Sequence, residues 1–531
     1  MSVPLTPVRC LHRAVDLFGS KTGIICGEQQ FTYREFGARA ETLSGALTKI
    51  GIQKGDRVAY LSFNTHQLLE GYYGVVQAGA IVMPLNVRLS IPELTTILNH
   101  SGARIVIYEP DFESTVEGLR GTACRSVERW ITTAAERTTN SEMTYEELLA
   151  EGKPERLDIF TVDENAIAEL FYTSGSTGTP KGVTHTNRTL YLHALSVGGM
   201  YREVETMVDL HTIPLFHANG WGRPQASVMH GVKQVMVRRF EPTFVFRMIQ
   251  EHRATDMSLV PTMVNALLNA RDLKDFDTSS MRRIMIGGAA ASPELVDRIE
   301  KAFPGAEAFA GYGLTETAPV LTSSRNKGLV YHDTAERLRR QAMAGWPVPG
   351  VEVRVVDPDM NDVPRDMHSI GEVVAMGDHI MAGYYKEPEA TAAVMTGPWF
   401  HSGDMAVWDN EGYIHIVDRK KEIIISGGEN ISSLEVEKAI FSHPDVFECA
   451  VVAAPDDKWG EVPAAIVVPK EGTDLTSEKM HEYLGSRLGR FKLPRIIVIS
   501  AEPLPKTGTG KIKKLVLKEQ FWAGKEKRVQ G

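Results

Sequence analysis

Residues 166–182 read AIAELFYTSGSTGTPKG, in which an apolar, strand-like run leads into a loop of glycines, hydroxyl side chains and one lysine. Glycines let backbone amides approach an anion closely, hydroxyl groups donate to its oxygens, and Lys181 adds a positive charge. The loop follows a strand, which is where α/β proteins bind ligands. The stretch therefore predicts a phosphate-binding loop, with these candidate contacts: Thr173, Ser174, Gly175, Ser176, Thr177, Gly178 and Lys181.

Composition alone also allows an ordinary surface loop rich in serine and glycine. A Walker loop does not fit, because that motif needs lysine followed by serine or threonine, whereas Lys181 lies between Pro180 and Gly182.

The chain on both sides of this loop alternates strand-like and helix-like segments. Before the loop, strand-like runs at 57–61, 80–85 and 104–108 are separated by helix-like stretches at 67–77 and 91–100. After it, strand-like runs recur at 257–261, 283–286 and 306–312. This alternation is typical of a parallel sheet covered by helices, and it predicts the α/β class.

Beyond about residue 345 the pattern changes. Turn residues become dense and the strands short, which predicts a distorted β-barrel at 351–356 and 371–376. The last hundred residues predict a small α+β domain, with helices at 434–442 and 477–488 and strands between and after them. We predict a large N-terminal domain, 1–419, and a small C-terminal domain, 420–531.

Composition excludes several classes of protein. The 531 residues are 43% hydrophobic and 24% charged with a net charge of −9, which argues against disorder and against a nucleic-acid-binding surface. Four scattered cysteines exclude a disulfide scaffold and a cysteine-rich zinc site. No apolar run is long enough for a signal peptide or a membrane span, so we expect a cytoplasmic protein without integral membrane association.

Five motifs in order resemble those of the adenylate-forming superfamily, which includes acyl-CoA synthetases, luciferases and the adenylation domains of peptide synthetases. They are the 172–182 loop, Tyr312-Gly313-Leu314-Thr315-Glu316, His401-Ser402-Gly403-Asp404, Asp418-Arg419-Lys420-Lys421 and Pro505-Lys506-Thr507-Gly508-Thr509-Gly510-Lys511. The resemblance covers nearly the whole chain. It implies an enzyme in which a carboxylate attacks the α-phosphate of ATP, pyrophosphate leaves, and a thiol then displaces AMP.

The resemblance also implies a role for each motif residue in binding ATP and Mg²⁺. The 173–182 loop would hold the β- and γ-phosphates, Glu316 would hold Mg²⁺, and Lys511 would act between the carboxylate and the α-phosphate. The remaining nucleotide contacts would be Gly288, Ala289, Tyr312, Gly313, Thr315, Asp404 and Arg419. Taken alone, core packing would be the favoured explanation of Tyr312, a turn that of Asp404 and a solvated basic tail that of Lys511. The presence of all the motifs in order reverses this preference.

For the second half-reaction, the resemblance implies that a mobile C-terminal domain rotates about Lys421 and presents a second face to coenzyme A. Gly427, Gly428 and Glu429 would border a pantetheine tunnel, since glycines leave room for a narrow chain. Trp459-Gly460-Glu461 resembles a segment near that tunnel. A plain β-turn explains Gly427 and Gly428 equally well.

The run Pro214-Leu215-Phe216-His217-Ala218-Asn219-Gly220-Trp221-Gly222 resembles the acyl-pocket motif of the superfamily. Members that activate amino acids carry an acidic residue where His217 stands, so an amino-acid substrate is disfavoured. The other predicted pocket residues are Trp221, Val260, Pro261, Ala290, Gly311 and Ala318. The run is most like medium-chain acyl-CoA synthetases and 3-methylmercaptopropionate-CoA ligases, and the motif does not separate these two.

The chain shows no carrier-protein domain after Lys511, which favours free coenzyme A as the acceptor. Three alternatives stay open: a stand-alone adenylating enzyme that loads a carrier protein, an adenylate-former that oxidises its product, and a degenerate nucleotide-binding scaffold. The scaffold predicts loss of Lys181, Glu316, Asp404 or Lys511, all of which are present. A homodimer is compatible with the resemblance, but the sequence does not indicate an interface.

Overall fold

The computed structural model describes residues 2–122, 124–173, 180–427, 429–456, 458–506 and 512–523, with the backbone alone at 218, 219, 429 and 430. Two compact units divide the chain. The first comprises Met1–Val353, Val374–His401 and Glu411–Ile414, and the second comprises Arg354–Val373, Ser402–Asn410 and His415–Gly531. The second unit thus also contains residues that precede the predicted domain boundary at 419/420, which stays a prediction.

The described strands are numbered in chain order. They are β1 Thr22–Cys26, β2 Gln29–Thr32, β3 Arg57–Leu61, β4 Ile81–Pro84, β5 Ile105–Tyr108, β6 Arg129–Thr132, β7 Met143–Thr144, β8 Ile167–Thr173, β9 Lys181–Thr186, β10 Val208–His211, β11 Lys233–Met236, β12 Asp256–Leu259, β13 Arg283–Ile286, β14 Glu307–Gly313, β15 Val320–Ser323, β16 Trp346–Pro347, β17 Val351–Val356, β18 Gly371–Gly377, β19 Gly383–Tyr384, β20 Met395–Thr396, β21 Trp399–Trp408, β22 Ile414–Arg419, β23 Ile424–Ser426, β24 Glu429–Ile431, β25 Val446–Asp456, β26 Gly460–Pro469 and β27 Ile496–Ile499.

The described α-helices are numbered in the same way. They are α1 Pro7–Phe18, α2 Tyr33–Lys49, α3 His66–Gln77, α4 Ile91–Ser101, α5 Glu113–Arg120, α6 Tyr145–Glu151, α7 Asn187–Tyr201, α8 Ala218–Trp221, α9 Arg223–Met229, α10 Pro242–His252, α11 Pro261–Asn269, α12 Pro293–Ala302, α13 Thr334–Gln341, α14 Pro388–Ala392, α15 Ser433–Phe441, α16 Ser477–Gly485 and α17 Lys514–Trp522.

The first unit contains two large sheets whose inner strands are parallel. Among the described residues, one sheet has the strand order β16-β15-β14-β13-β12-β10-β11-β1-β2 and the other β19-β9-β8-β4-β3-β5-β6-β7. In the first sheet β10, β12, β13 and β14 are parallel neighbours, and in the second β8, β4, β3 and β5 are. The predicted α/β class is confirmed.

Local sequence signals explain where the helices begin. Helix α4 starts after Ser90, whose backbone amide donates to the Glu93 carboxylate in a capping box, and it ends at Gly102, whose φ of 66° is left-handed. Prolines at the first helical positions begin α10, α11 and α12. One prediction needs correction here: the strand expected at 257–261 ends at Leu259, because Pro261 starts α11 and cannot donate to a sheet ladder.

In the second unit, β23, β24, β25, β26 and β27 form a sheet that is antiparallel except for the β26–β27 pair. Helices α15 and α16 cover one face, where Ile424, Val436, Val451 and Met480 are buried together. The helix expected at 477–488 ends at Gly485, three residues early. A further sheet of β17, β18, β20, β21 and β22 lies where the barrel-like part was predicted. The division between the units runs through β17, β18, β21 and β22, so this sheet is assigned to neither unit.

No helix of the described residues is long and apolar enough to cross a membrane. The same residues hold four free cysteines, two of them buried, Cys10 and Cys449.

Candidate active site

The carboxyl ends of three parallel strands bring Val260 and Gly311 of the predicted pocket to one edge, together with Gly287. Leu259 of β12 pairs with Ile286 of β13, and Ile286 pairs with Ala310 of β14. Val260, Gly287 and Gly311 follow these three residues directly, so they lie side by side where the strands end. This edge is where open parallel sheets bind ligands.

Trp221 forms the apolar wall of this edge. Its side chain is only 7% exposed, and its backbone is left-handed with a φ of 61°, between Gly220 and Gly222, which are also left-handed. A non-glycine residue held in this conformation costs free energy and persists only where its surroundings fix it. The indole supplies that constraint, because a Cβ placed on Gly287 would lie 2.9 Å from its Cη2 atom and one on Gly288 3.5 Å from its Cζ2 atom.

The loop that carries Trp221 is held from α3 and the turn before it. The Asn64 side chain donates to the carbonyls of His211 and Ile213 and accepts from the amide of Leu215. Tyr72 donates to the Leu215 carbonyl at 2.7 Å, and Tyr73 donates to the Pro224 carbonyl at 2.9 Å. These contacts join residues about 150 positions apart, so no sequence signal identified them.

A buried ionic cluster lies behind the same loop. Arg223 pairs with Asp209 at 3.0 Å and also with Glu203, and all three side chains are almost fully buried. Burial raises the pKa of Glu203 to about 7, although Arg223 opposes the shift. The pKa of Asp209 is nevertheless lowered, because Arg223 and His211 outweigh the effect of burial. The cluster fixes the start of α9, immediately after Trp221.

The charged groups of the predicted phosphate and metal sites meet at a residue that the sequence analysis missed. The Lys181 ammonium lies 4.7 Å from the centre of the Tyr384 ring, and the Tyr384 hydroxyl donates to Glu316 Oε1 at 2.9 Å. Burial and the neighbouring Glu316 carboxylate raise the pKa of Tyr384, so its hydroxyl stays protonated as a donor. Residues 174–179 of the predicted phosphate loop lie outside the described residues.

The short turn that carries Thr315 and Glu316 is held by its backbone. His185 contacts the Thr315 carbonyl through Nε2 at 2.8 Å, and the Met381 amide donates to the Glu316 carbonyl at 2.8 Å. Burial lowers the pKa of His185 to about 4, so the ring is neutral and its Nε2 carries the proton for this bond. Gly313 must be glycine, because a Cβ there would lie 1.7 Å from the Pro319 carbonyl oxygen.

The other predicted site residues of the first unit fall into an exposed group and a half-buried group. Gly288, Ala289, Ala290 and His217 are exposed at the strand ends, and Val260, Pro261, Gly311 and Tyr312 are half-buried. Ala318 is buried and has a left-handed φ of 65°. The backbone amide of His217 donates to the Pro214 carbonyl at 3.0 Å.

In the second unit, the predicted ribose residues form one ion pair. Asp404 Oδ1 lies 2.6 Å from Arg419 Nε, and Asp404 is 3% exposed whereas nearly half of the Arg419 side chain is exposed. The amide of Asp404 also donates to the Ser402 hydroxyl at 3.0 Å. Burial lowers the pKa of the neighbouring Lys421, and Arg419 contributes to that shift.

Gly427 of the predicted tunnel packs against Trp459. Its amide donates to the Trp459 carbonyl at 2.9 Å, its φ is 61°, and a Cβ there would lie 2.4 Å from the indole. Gly427 therefore has to be glycine for close packing. Gly428 and Lys511 lie outside the described residues, and at Glu429 only the backbone, in β24, is described. On either side of the Lys511 loop, Lys506 and Ile512 form an isolated antiparallel bridge.

The described side chains fit a metal ion that takes most of its ligands from nucleotide phosphates and water. Among the described residues, no three His, Cys, Asp or Glu side chains are grouped so that they could hold a metal ion. Glu316 offers one carboxylate, and Mg²⁺ in nucleotide-dependent enzymes usually takes one or two carboxylates together with phosphate oxygens and water.

A first unit with two large, mostly parallel sheets, in which Lys181 and Glu316 both contact Tyr384, is the arrangement of an adenylate-forming enzyme. The chain belongs to the AMP-binding enzyme family: the family model matches residues 11–385, and the model of the AMP-binding enzyme C-terminal domain matches residues 435–511. The predicted superfamily is confirmed.

Relatives and solved structures extend over nearly the whole chain. A long-chain-fatty-acid–CoA ligase of Thermus thermophilus is 38% identical over 96% of this chain and 94% of its own length. A 4-hydroxybutyrate–CoA ligase of Metallosphaera sedula is 34% identical over 97% and 94%. The crystal structure of ATP-bound MatB from Rhodopseudomonas palustris is 25% identical, covers 99% of this chain and 100% of its own, and has a TM-score of 0.83. The predicted enzyme class, an AMP-forming acyl-CoA synthetase, agrees with these relatives.

Proposed function

We propose that this protein joins a carboxylic acid to coenzyme A in two steps, with an acyl-adenylate as the intermediate. The observation that carries the proposal is the meeting of Lys181 and Glu316 at Tyr384, in the same unit as the buried Trp221 indole that packs on Gly287 and Gly288. Adenylation brings two anions together and so requires a cation and oriented donors near the phosphates.

The roles in the first step follow from the chemistry of each group. Lys181 binds a phosphate of ATP, and Glu316 holds Mg²⁺, which neutralises phosphate charge as pyrophosphate leaves. Tyr312 lies beside the adenine, and Asp404 accepts hydrogen bonds from the ribose hydroxyls with Arg419 as its partner. Lys511 stabilises the charge that develops between the acid and the α-phosphate.

The pocket favours an uncharged acyl chain. Trp221, Gly287 and Val260 present an indole, a glycine and an aliphatic side chain, and none of them could pair with a charged substituent. The relatives named above act on acids as different as long-chain fatty acids and 4-hydroxybutyrate. We propose a short- or medium-chain aliphatic acid or 3-methylmercaptopropionate, with broad selectivity, because each methylene is worth only about 1–3 kcal/mol in such a pocket.

The second step would use other residues of the second unit. Gly427, Gly428 and Glu429 would border the pantetheine arm of coenzyme A, with the Trp459 indole packed on Gly427. We propose that the C-terminal domain, residues 420–531, rotates about Lys421 between the two steps, and that the enzyme acts in the cytoplasm.

The experiment is release of AMP from Mg-ATP across acids from acetate to dodecanoate, with 3-methylmercaptopropionate, benzoate and amino acids, each with and without coenzyme A. We expect AMP release that depends on coenzyme A and peaks at one class of aliphatic acid. Acid-dependent pyrophosphate exchange without turnover on coenzyme A would instead support loading of a carrier protein, and no acid dependence at all would refute the proposal.

Lys511→Ala separates the two steps. We expect adenylation to fall by about 10²–10³-fold, while thioester formation from preformed acyl-adenylate is retained. Lys506→Ala, on the same loop but paired with Glu448, is the matched control. An equal loss of both half-reactions in Lys511→Ala would rule out separate residues for the two steps.

A further inference from the structure

Tyr384 lies between the two charged groups of the nucleotide site and contacts both. Strand β19 pairs antiparallel with β9, with Tyr384 opposite Val183 and Gly383 opposite Thr184. Lys181 is two residues before Val183, so it shares a face with Val183 and is the diagonal neighbour of Tyr384. Diagonal neighbours across a strand pair are within reach of long and aromatic side chains, which explains the 4.7 Å contact between the Lys181 ammonium and the ring.

The other end of the same side chain reaches the carboxylate. The Tyr384 hydroxyl donates to Glu316 Oε1 at 2.9 Å, while the backbone of Glu316 is fixed by the Met381 amide. The segment from Met381 to Tyr384 therefore connects the strand after the phosphate loop to the turn that carries Glu316. The Tyr384 backbone is itself anchored, since its amide donates to the Thr391 hydroxyl at 2.8 Å.

This placement has two physical consequences. With Oε1 accepting from the tyrosine, the rotation of the carboxylate is restricted and Oε2 remains for another partner. Within the described residues no ion pair joins Lys181 to Glu316, although both contact one side chain. An aromatic ring that occupies the space between opposite charges prevents them from neutralising each other.

We propose that Tyr384 is a positioning residue: its hydroxyl orients Glu316 toward the metal of a bound metal–nucleotide complex, and its ring keeps Lys181 apart from Glu316 and available to a phosphate. The inference rests on the proposed function for the identity of the ligand, but it concerns binding and needs no acid and no turnover.

The test measures how much a metal strengthens nucleotide binding. The dissociation constant of α,β-methylene-ATP is measured by calorimetry in EDTA and again in saturating Mn²⁺, and the ratio of the two constants is the metal increment. Tyr384→Phe removes one oxygen and keeps the ring. We expect its metal increment to fall about tenfold, as for loss of one hydrogen bond to a charged group, with the affinity in EDTA within about twofold of the wild type.

Tyr384→Leu removes the ring as well. We expect the same fall in metal increment and, in addition, weaker nucleotide binding in EDTA, because Lys181 can then pair with Glu316. Tyr385→Phe is the matched control: it removes a hydroxyl from the next residue, and we expect both constants to be unchanged. Thermal unfolding of each variant checks that it is folded.

An unchanged metal increment in folded Tyr384→Phe, or an equal fall in Tyr385→Phe, would overturn the inference. Unchanged binding in EDTA by Tyr384→Leu would overturn the role of the ring. If the wild type shows the increment and activates no acid, the proposed function fails and this inference stands. If the wild type makes acyl-CoA and Tyr384→Phe keeps its increment, the inference fails alone.

Discussion

In the proposed site of the first unit, the nucleotide side and the acyl side are held by different kinds of contact. The proposed nucleotide side depends on charged and polar side chains: Lys181 and Glu316 both contact Tyr384, at cation–π and hydrogen-bond distance. The proposed acyl side depends on shape: an indole packs on the bare backbone of Gly287. Substitutions on the nucleotide side should therefore lower kcat/KM for every acid alike. Substitutions on the acyl side should change the preference among acids.

The largest expected effect is on the nucleotide side. Glu316→Gln keeps the shape of the side chain and removes its charge, so we expect kcat/KM to fall by about 10²–10³-fold for all acids, measured as AMP release. Glu389→Gln, an exposed glutamate in α14, is the control. If the loss differed strongly between short and long acids, the separation of the two sides would be wrong.

Trp221→Ala tests the acyl side. Removing the indole lengthens the pocket, so we expect the preference between acids that differ by a few methylenes to shift toward the longer acid by about 10–100-fold. The measurement is kcat/KM over the acid series, with the KM for ATP compared in parallel. An unchanged chain-length profile in a folded variant would remove Trp221 from the pocket.

Gly287→Ala tests the acyl side in the opposite direction, because it should disfavour longer acids whereas Trp221→Ala should favour them. The new Cβ would lie 2.9 Å and 3.0 Å from two atoms of the Trp221 ring, so the indole must move. We expect kcat/KM for the longest accepted acid to fall about tenfold while the shortest is less affected. Gly199→Ala, where a Cβ meets nothing within 4 Å, should leave the series unchanged. A uniform loss for all acids would contradict the assignment of Gly287 to the acyl side.

The smallest expected effect is on the free energy of unfolding, through Glu203 in the buried cluster with Arg223 and Asp209. Because burial raises the pKa of Glu203 to about 7 from its ordinary 4.5, the folded protein binds this proton more tightly than the unfolded chain does. Its contribution to stability is therefore full below about pH 4.5 and is lost as the pH rises through about 7. The slope from this group is at most about 1.4 kcal/mol per pH unit.

Glu203→Gln should remove that slope from the pH dependence of the free energy of unfolding between about pH 4.5 and 7, measured with a chemical denaturant. Glu205→Gln, an exposed neighbour, should keep it. Identical pH curves for the wild type and Glu203→Gln would mean that Glu203 titrates as it does in the unfolded chain.

Much of the fold could be predicted from patterns within single segments. Strands at 57–61 and 283–286 and the start of α4 follow from apolar runs and a capping box, which are local properties. Predictions failed where a neighbouring residue intervened, as at Pro261, which turns the expected end of β12 into a helix start. Lys181, Glu316, Asp404 and Trp221 were predicted because each lies in a motif of the superfamily, and their roles stay predictions, whereas Tyr384 and Asn64 lie in none of the motifs quoted above.

The sequence by itself determined the family and the class of enzyme, because these depend on side-chain chemistry within short motifs. Only the tertiary structure decided which of the motif residues meet. Tyr384 contacts Lys181 across a strand pair and Glu316 from 68 positions along the chain, and the indole of Trp221 lies on glycines of another strand end. Such contacts arise from strand order and register. They join residues that are far apart in the sequence, so the sequence separation does not indicate that they are close in space.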